Sequence, residues 1–142
     1  MAIAQAVCNS FKQQILEAVH NFATGGNVFK LALYTSAANL SASTTVYTST
    51  NEVANTGQYT AGGGTLTGQQ TSLDTGVAIV DFADLSFTGV TLTAAGALIY
   101  KTSASDKAVC VLDFGGDKTA TAGTFTIVFP AFTSANAILR IS

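Results

Sequence analysis

The sequence predicts a mainly β protein: a single antiparallel β-sandwich, jelly-roll-like, with one N-terminal α-helix. After residue 27, apolar and polar residues alternate over short runs, which is typical of half-buried strands. Clusters of Gly, Ser, Thr and Asp separate these runs, and no helical pattern lies between them, so we expect the strands to pair antiparallel. The length of 142 residues fits one domain spanning residues 1–142.

The helix is predicted over residues 3–22. Apolar residues recur there every four positions, at Ile3, Val7, Phe11, Ile15 and Val19. Gly25 and Gly26 are expected to end the segment, since glycine commonly follows the last turn of a helix. Because the helix is amphipathic, its apolar face has to be covered by the sheet or by another subunit.

The β-sandwich is predicted over residues 27–142. Runs with a period of two occupy residues 28–35, 73–82, 85–93, 96–101, 107–114, 124–129 and 137–141. Residues 36–72 lack a clear period and are rich in small polar residues, and we expect them to cross an edge of the sandwich and contact neighbouring proteins. Within them, Gly62, Gly63 and Gly64 predict a tight turn or a close backbone approach.

The composition argues for a surface that is buried against other proteins. Charged residues make up 10% of the chain, against roughly 25% in ordinary soluble domains. Uncharged polar groups are cheaper to desolvate than charges, so such a surface suits protein contacts. An exposed Thr-rich β domain, as in many secreted proteins, fits the composition equally well.

The charge and the cysteines set further expectations. A net charge of −2 with six basic residues offers no basic patch for nucleic acid and no polybasic run for an anionic membrane. The sequence shows no apolar run long enough to span a bilayer and no signal-peptide pattern, so we expect synthesis in a cytoplasm. Cys8 and Cys110 are therefore predicted to be reduced and buried; a disulfide between them is the alternative.

No constellation of residues predicts catalysis, a metal site or a cofactor. His20 is the single histidine, and a zinc site or a Ser-His-Asp triad needs further converging groups. The pairs Asp81/Asp84 and Asp113/Asp117 lack the spacing of a calcium loop and flank strand ends, where Asp commonly caps turns. We therefore expect a protein that is not an enzyme.

Five residues are predicted to make inter-subunit contacts. Phe11, Ile15 and Val19 form the apolar face of the helix, and Tyr47 and Tyr59 lie in the irregular region. Tyrosine suits such a position because its ring is apolar and its hydroxyl is polar. The two tyrosines could instead present their rings to a sugar.

Several segments together resemble a family of small virion structural proteins of tailed bacteriophages. The resemblance spans nearly the whole chain and depends on the number and order of the segments, because no single one is chemically specific. They are SFK at 10–12, FKLALYTS at 29–36, TNEV at 50–53, YTAGGGTL at 59–66, VDFAD at 80–84, GALIY at 96–100, KAVCVLDFGGDKT at 107–119 and GTFTIVFP at 123–130.

The resemblance implies a capsid cement or decoration protein, made in the bacterial host cytoplasm and located on the capsid surface of the virion. Its expected partners are itself, as a dimer or trimer, and the major capsid protein, whose icosahedral shell it would hold against internal DNA pressure. The alternative within the virion is a tail- or fibre-associated protein with a receptor- or carbohydrate-binding surface. A small hydrolase is the alternative from another class.

Overall fold

The computed structural model describes residues 2–103 and 105–142, and that part of the chain contains eight strands and one helix. In chain order they are β1 (Ala6–Val7), α1 (Asn9–Leu16), β2 (Phe29–Tyr34), β3 (Gly64–Thr65), β4 (Gln70–Asp74), β5 (Val77–Asp81), β6 (Leu85–Lys101), β7 (Ala108–Ile127) and β8 (Leu139–Ile141).

The strands form two antiparallel sheets, which confirms the predicted mainly β class with one helix. The larger sheet has the order β1-β7-β6-β2-β3 and the smaller one the order β4-β5-β8. The β6–β7 hairpin dominates the larger sheet, and its register shifts at several points along its length. The strand order does not establish the two Greek keys of a jelly roll, so that finer part of the prediction is not confirmed.

Aromatic side chains occupy one end of the core. Phe29 of β2 stacks on Phe22 with ring centroids 4.4 Å apart, and Phe82 meets Phe29 edge-on at 6.0 Å. Phe82 in turn packs against Phe129 at 5.6 Å. All four rings are buried. The turn after the helix, the strand β2 and the segments that follow β5 and β7 are therefore joined through one apolar cluster.

The helix is shorter than predicted: it spans Asn9–Leu16 instead of residues 3–22. Ile3 and Val7 are apolar because they lie along the larger sheet, where Ile3 bridges to Leu40 and Val7 pairs with Cys110. The spacing of Ile3 and Val7 fits a helical period, although both residues lie in extended segments of the chain. No helix in the described part of the chain is long and apolar enough to cross a membrane.

The helix ends because the chain reverses at Ala18. Ala18 has a φ of 60°, and the N–H groups of Ala18 and Val19 donate to the carbonyls of Ile15 and Gln14. These two bonds form a Schellman motif, which satisfies carbonyls of the last turn. The reversal turns Phe22 back onto Phe29, so the apolar period over residues 17–22 belongs to a packed loop.

Two strand predictions change in the structure. The run predicted over residues 73–82 lies across the β4–β5 hairpin, because Thr75 and Gly76 have φ values of 50° and 85° and form a two-residue turn. The runs at 85–93 and 96–101 form the single strand β6, and those at 107–114 and 124–129 belong to β7 and its end. Irregularities in the β6–β7 pairing, such as the register shift between Ala94 and Gly96, interrupt the alternation without ending either strand.

The irregular region, residues 36–72, packs against β2 of the same chain. Ala38, Leu40, Val53 and Tyr59 are buried there. The glycine run makes the predicted close approach: a Cβ at Gly63 would lie 1.9 Å from the carbonyl oxygen of Leu31. Contacts of this region with neighbouring proteins stay a prediction.

The two cysteines are free and buried, as predicted. Burial raises the pKa of the Cys8 thiol to about 11 and that of the Cys110 thiol to about 12. Both therefore stay protonated at neutral pH and act as small apolar side chains.

Candidate functional site

An open groove of about 790 Å³ lies between α1 and the smaller sheet. We call it the helix–sheet groove. One wall includes Ile15, Leu16 and Phe22; the opposite wall includes Ile79, Leu139 and Ile141. The groove exists because the short helix and its reversing turn pass beside β5 and β8 without covering them.

The rim of the groove is apolar and exposed. The side chain of Leu16 is 88% exposed and that of Ile141 is 59% exposed. A single exposed leucine is ordinary on a protein surface, but here the exposed residues continue the apolar lining of the groove. Contiguous exposed apolar surface of this kind marks interaction sites.

His20 lies in the lining of the groove against the aromatic cluster. It is 4% exposed, and its ring lies 4.8 Å from that of Phe11 and 6.2 Å from that of Phe29. Its Nε2 donates to the amide oxygen of Gln14 at 2.8 Å, which leaves Nδ1 as an acceptor. This Nδ1 is buried and has no hydrogen-bond partner.

The environment of His20 keeps the imidazole neutral. Burial, and secondly the positive charges of Lys101 and Lys107, lower its pKa from 6.5 to about 4. The unfolded chain therefore takes up a proton before the folded chain does, and stability has to fall as the pH falls through this range.

We expect His20→Phe to flatten the acid part of the pH–stability profile. Since His20 is the single histidine, its titration accounts for a loss of about 2 kcal/mol in wild-type unfolding free energy between pH ~7 and pH ~5. Phenylalanine packs among the same rings and carries no proton. Urea unfolding of both proteins at the two pH values measures the difference, and equal pH slopes would contradict the buried neutral imidazole.

The charges on the groove have one sign. Among the described residues, the lining contains Lys12 and Arg140 and no Asp or Glu. The Nη1 of Arg140 donates to the carbonyl of Ala135 at 2.7 Å, which holds the guanidinium in place. In a chain with a net charge of −2, the groove is thus locally positive.

The three residues of the predicted helix face lie in different environments. Phe11 is 5% exposed, so its ring belongs to the core of the chain and is not free to serve as a subunit contact by itself. Ile15 is half-buried and lines the groove, whereas Val19 lies outside the lining, and its carbonyl accepts a hydrogen bond from Lys101. Leu16 was missed, because it falls one position off the apolar repeat.

Tyr59 is a core residue, which corrects its assignment as an interface residue. It is 1% exposed, and its hydroxyl accepts from the Leu33 N–H at 2.8 Å and donates to Glu52 at 2.7 Å. Burial and the bond to Glu52 raise its pKa well above the ordinary value for tyrosine. Its ring cannot meet a sugar or a partner protein while the fold is intact.

Glu52 joins this network to Tyr47. Tyr47 donates to the second carboxylate oxygen of Glu52 at 2.5 Å and stacks on Tyr100 at 4.8 Å. The Gly62 N–H completes the shell around Glu52 at 2.7 Å. Tyr47 is half-buried, and its role as an interface residue stays a prediction.

Two of the four paired aspartates accept hydrogen bonds from backbone N–H groups, one within a turn and one from a segment distant in the chain. Asp113 accepts from the Gly115 N–H at 2.9 Å, and Asp84 accepts from the Phe129 N–H at 2.9 Å. Among residues 2–103 and 105–142, no group of three or more His, Cys, Asp or Glu side chains is arranged to hold a metal ion.

No family model, no curated protein and no solved structure matches the chain.

Proposed function

We propose that this chain is a structural protein of a phage virion, a capsid cement or decoration protein that stabilises the icosahedral shell through protein–protein contacts. Its partners are further copies of itself and the major capsid protein. The observation that carries the proposal is the helix–sheet groove with its exposed rim at Leu16 and Ile141. Apolar surface of this kind is stabilised when a neighbouring protein covers it.

Two features of the sequence support the same role. The order of the segments that resemble small phage virion proteins supports a place in the virion. A charged fraction of 10% lowers the desolvation penalty of repeated protein contacts. The burial of Tyr59 weighs against the carbohydrate-binding alternative, since it removes one of the two tyrosine rings on which that alternative depended.

The copy number in purified particles tests the proposal. Quantitative mass spectrometry against the major capsid protein is expected to find hundreds of copies per particle. A handful of copies would indicate the tail- or fibre-associated alternative, and absence of the chain from particles would overturn the virion assignment.

A substitution on the rim tests whether the groove is the contact. We expect Leu16→Asp to reduce incorporation into particles at least about tenfold, because it places a charge in a desolvated apolar contact. Leu73→Asp is the control, since Leu73 is also exposed but lies outside the groove lining. Equal incorporation of the two variants would show that the groove is not the contact.

A further inference from the structure

The rim of the helix–sheet groove distinguishes a protein occupant from a small molecule. The volume of about 790 Å³ lies within the range of small-ligand pockets. A small ligand inside it would cover only the inward side of Leu16, which is 88% exposed, and would leave the rest of that side chain in water. A protein segment laid along the groove covers both the lining and the rim, and so buries the whole apolar surface at once.

The charges define what this segment carries. Lys12 and Arg140 both line the groove, and no acidic residue of the described chain lines it with them. Arg140 uses Nη1 for the carbonyls of Ala135 and Ser134. A guanidinium has five N–H donors in a planar fork, so it retains donors for a carboxylate.

We infer that the helix–sheet groove binds a segment of a second protein in which apolar side chains adjoin an Asp or Glu carboxylate. The apolar side chains pack between α1 and the smaller sheet, and the carboxylate meets Lys12 or Arg140. This rests on the proposed function, since it takes the groove to be a protein contact.

Selection from a displayed library of random short peptides against the immobilised full-length chain tests the inference. Binders are expected to combine at least two apolar or aromatic residues with an Asp or Glu. Lys12→Glu is expected to weaken the best binder about tenfold, because it replaces an attractive charge contact by a repulsive one. A new selection against Lys12→Glu is expected to enrich Lys or Arg in place of the acids.

Lys118→Glu is the matched control, since Lys118 lies outside the groove, and it is expected to bind the same peptide with unchanged affinity. Arg140→Glu provides a second variant with the same expectation as Lys12→Glu. Binders without acidic residues, or equal affinity for Lys12→Glu and Lys118→Glu, would overturn the inference. A dimer of the chain alone that Leu16→Asp dissociates would also overturn it, because a second copy would then be the occupant.

The outcomes separate this inference from the proposed function. If selection yields no acidic apolar binder while hundreds of copies are present per particle, the chemistry inferred for the partner fails and the virion role stands. If such binders are found and particles lack the chain, the groove is a protein-binding site and the virion role fails.

Discussion

Gly63→Ala is expected to destabilise the fold by about 4 kcal/mol or more, an exceptional value for a change of one methyl group. Gly63 has a φ of 87°, and a Cβ there would lie 1.9 Å from the carbonyl oxygen of Leu31 and 2.7 Å from the Cα of Ala32. Both obstacles are backbone atoms of β2, an interior strand of the larger sheet. Because a strand paired on β6 cannot shift alone, the added methyl has to displace the loop and its bonds.

Gly76→Ala is the matched control for this prediction. Gly76 has a similar φ of 85°, but a Cβ there meets nothing within 4 Å. This variant therefore carries the left-handed strain alone, at about 1 kcal/mol. Chemical denaturation of both variants measures the difference, and equal losses would mean that the loop does not lie closely on β2.

Tyr59→Phe is expected to lower the unfolding free energy by about 2 kcal/mol although the ring is kept. The Tyr59 hydroxyl accepts from the Leu33 N–H, on the edge of β2 that faces away from β6. Removal of the Tyr59 hydroxyl leaves the buried Leu33 N–H without an acceptor, which costs about 1–3 kcal/mol. It also removes one donor from the Glu52 carboxylate.

Tyr47→Phe separates these two effects. Tyr47 also donates to Glu52, but its hydroxyl serves no buried backbone group and its side chain is only half-buried. We expect a loss of about 1 kcal/mol or less. If thermal and chemical unfolding gave equal losses for the two variants, the hydroxyl of Tyr59 would not be acting as the partner of β2.

Features that depend on a few neighbouring residues could be predicted from the sequence. The alternation over residues 28–35 corresponds to β2 at Phe29–Tyr34, although five of the six residues of that strand are buried. The glycine run likewise predicted the close approach at Gly63, since only glycine fits against backbone.

Sequence patterns gave a wrong prediction where an apolar residue contacts a distant part of the chain and not the neighbouring turn of a helix. Ile3 and Val7 fit a helical repeat, yet they are apolar because they meet Leu40 and β7. Tyr59 lies in a polar, irregular stretch, and only the folded chain shows that its hydroxyl substitutes for a strand partner.

The candidate site could be predicted only in part. Phe11 and Ile15 were correctly placed on one apolar side of the helix, and both line the groove. The opposite wall comes from β5 and β8, which are far along the chain, and no local pattern brings Ile141 to Leu16. The positive character of the groove arises in the same way, since only the fold brings Lys12 and Arg140 into the lining of one groove.

The central claim is that this chain works in a virion through the helix–sheet groove, and imaging of intact particles at side-chain resolution tests it most directly. We predict that the chain is present in many symmetry-related copies, with Leu16 and Ile141 covered by a neighbouring protein and a carboxylate of that neighbour at Lys12 or Arg140. Particles that lack the chain, or that hold it with the groove open to solvent, would contradict the account.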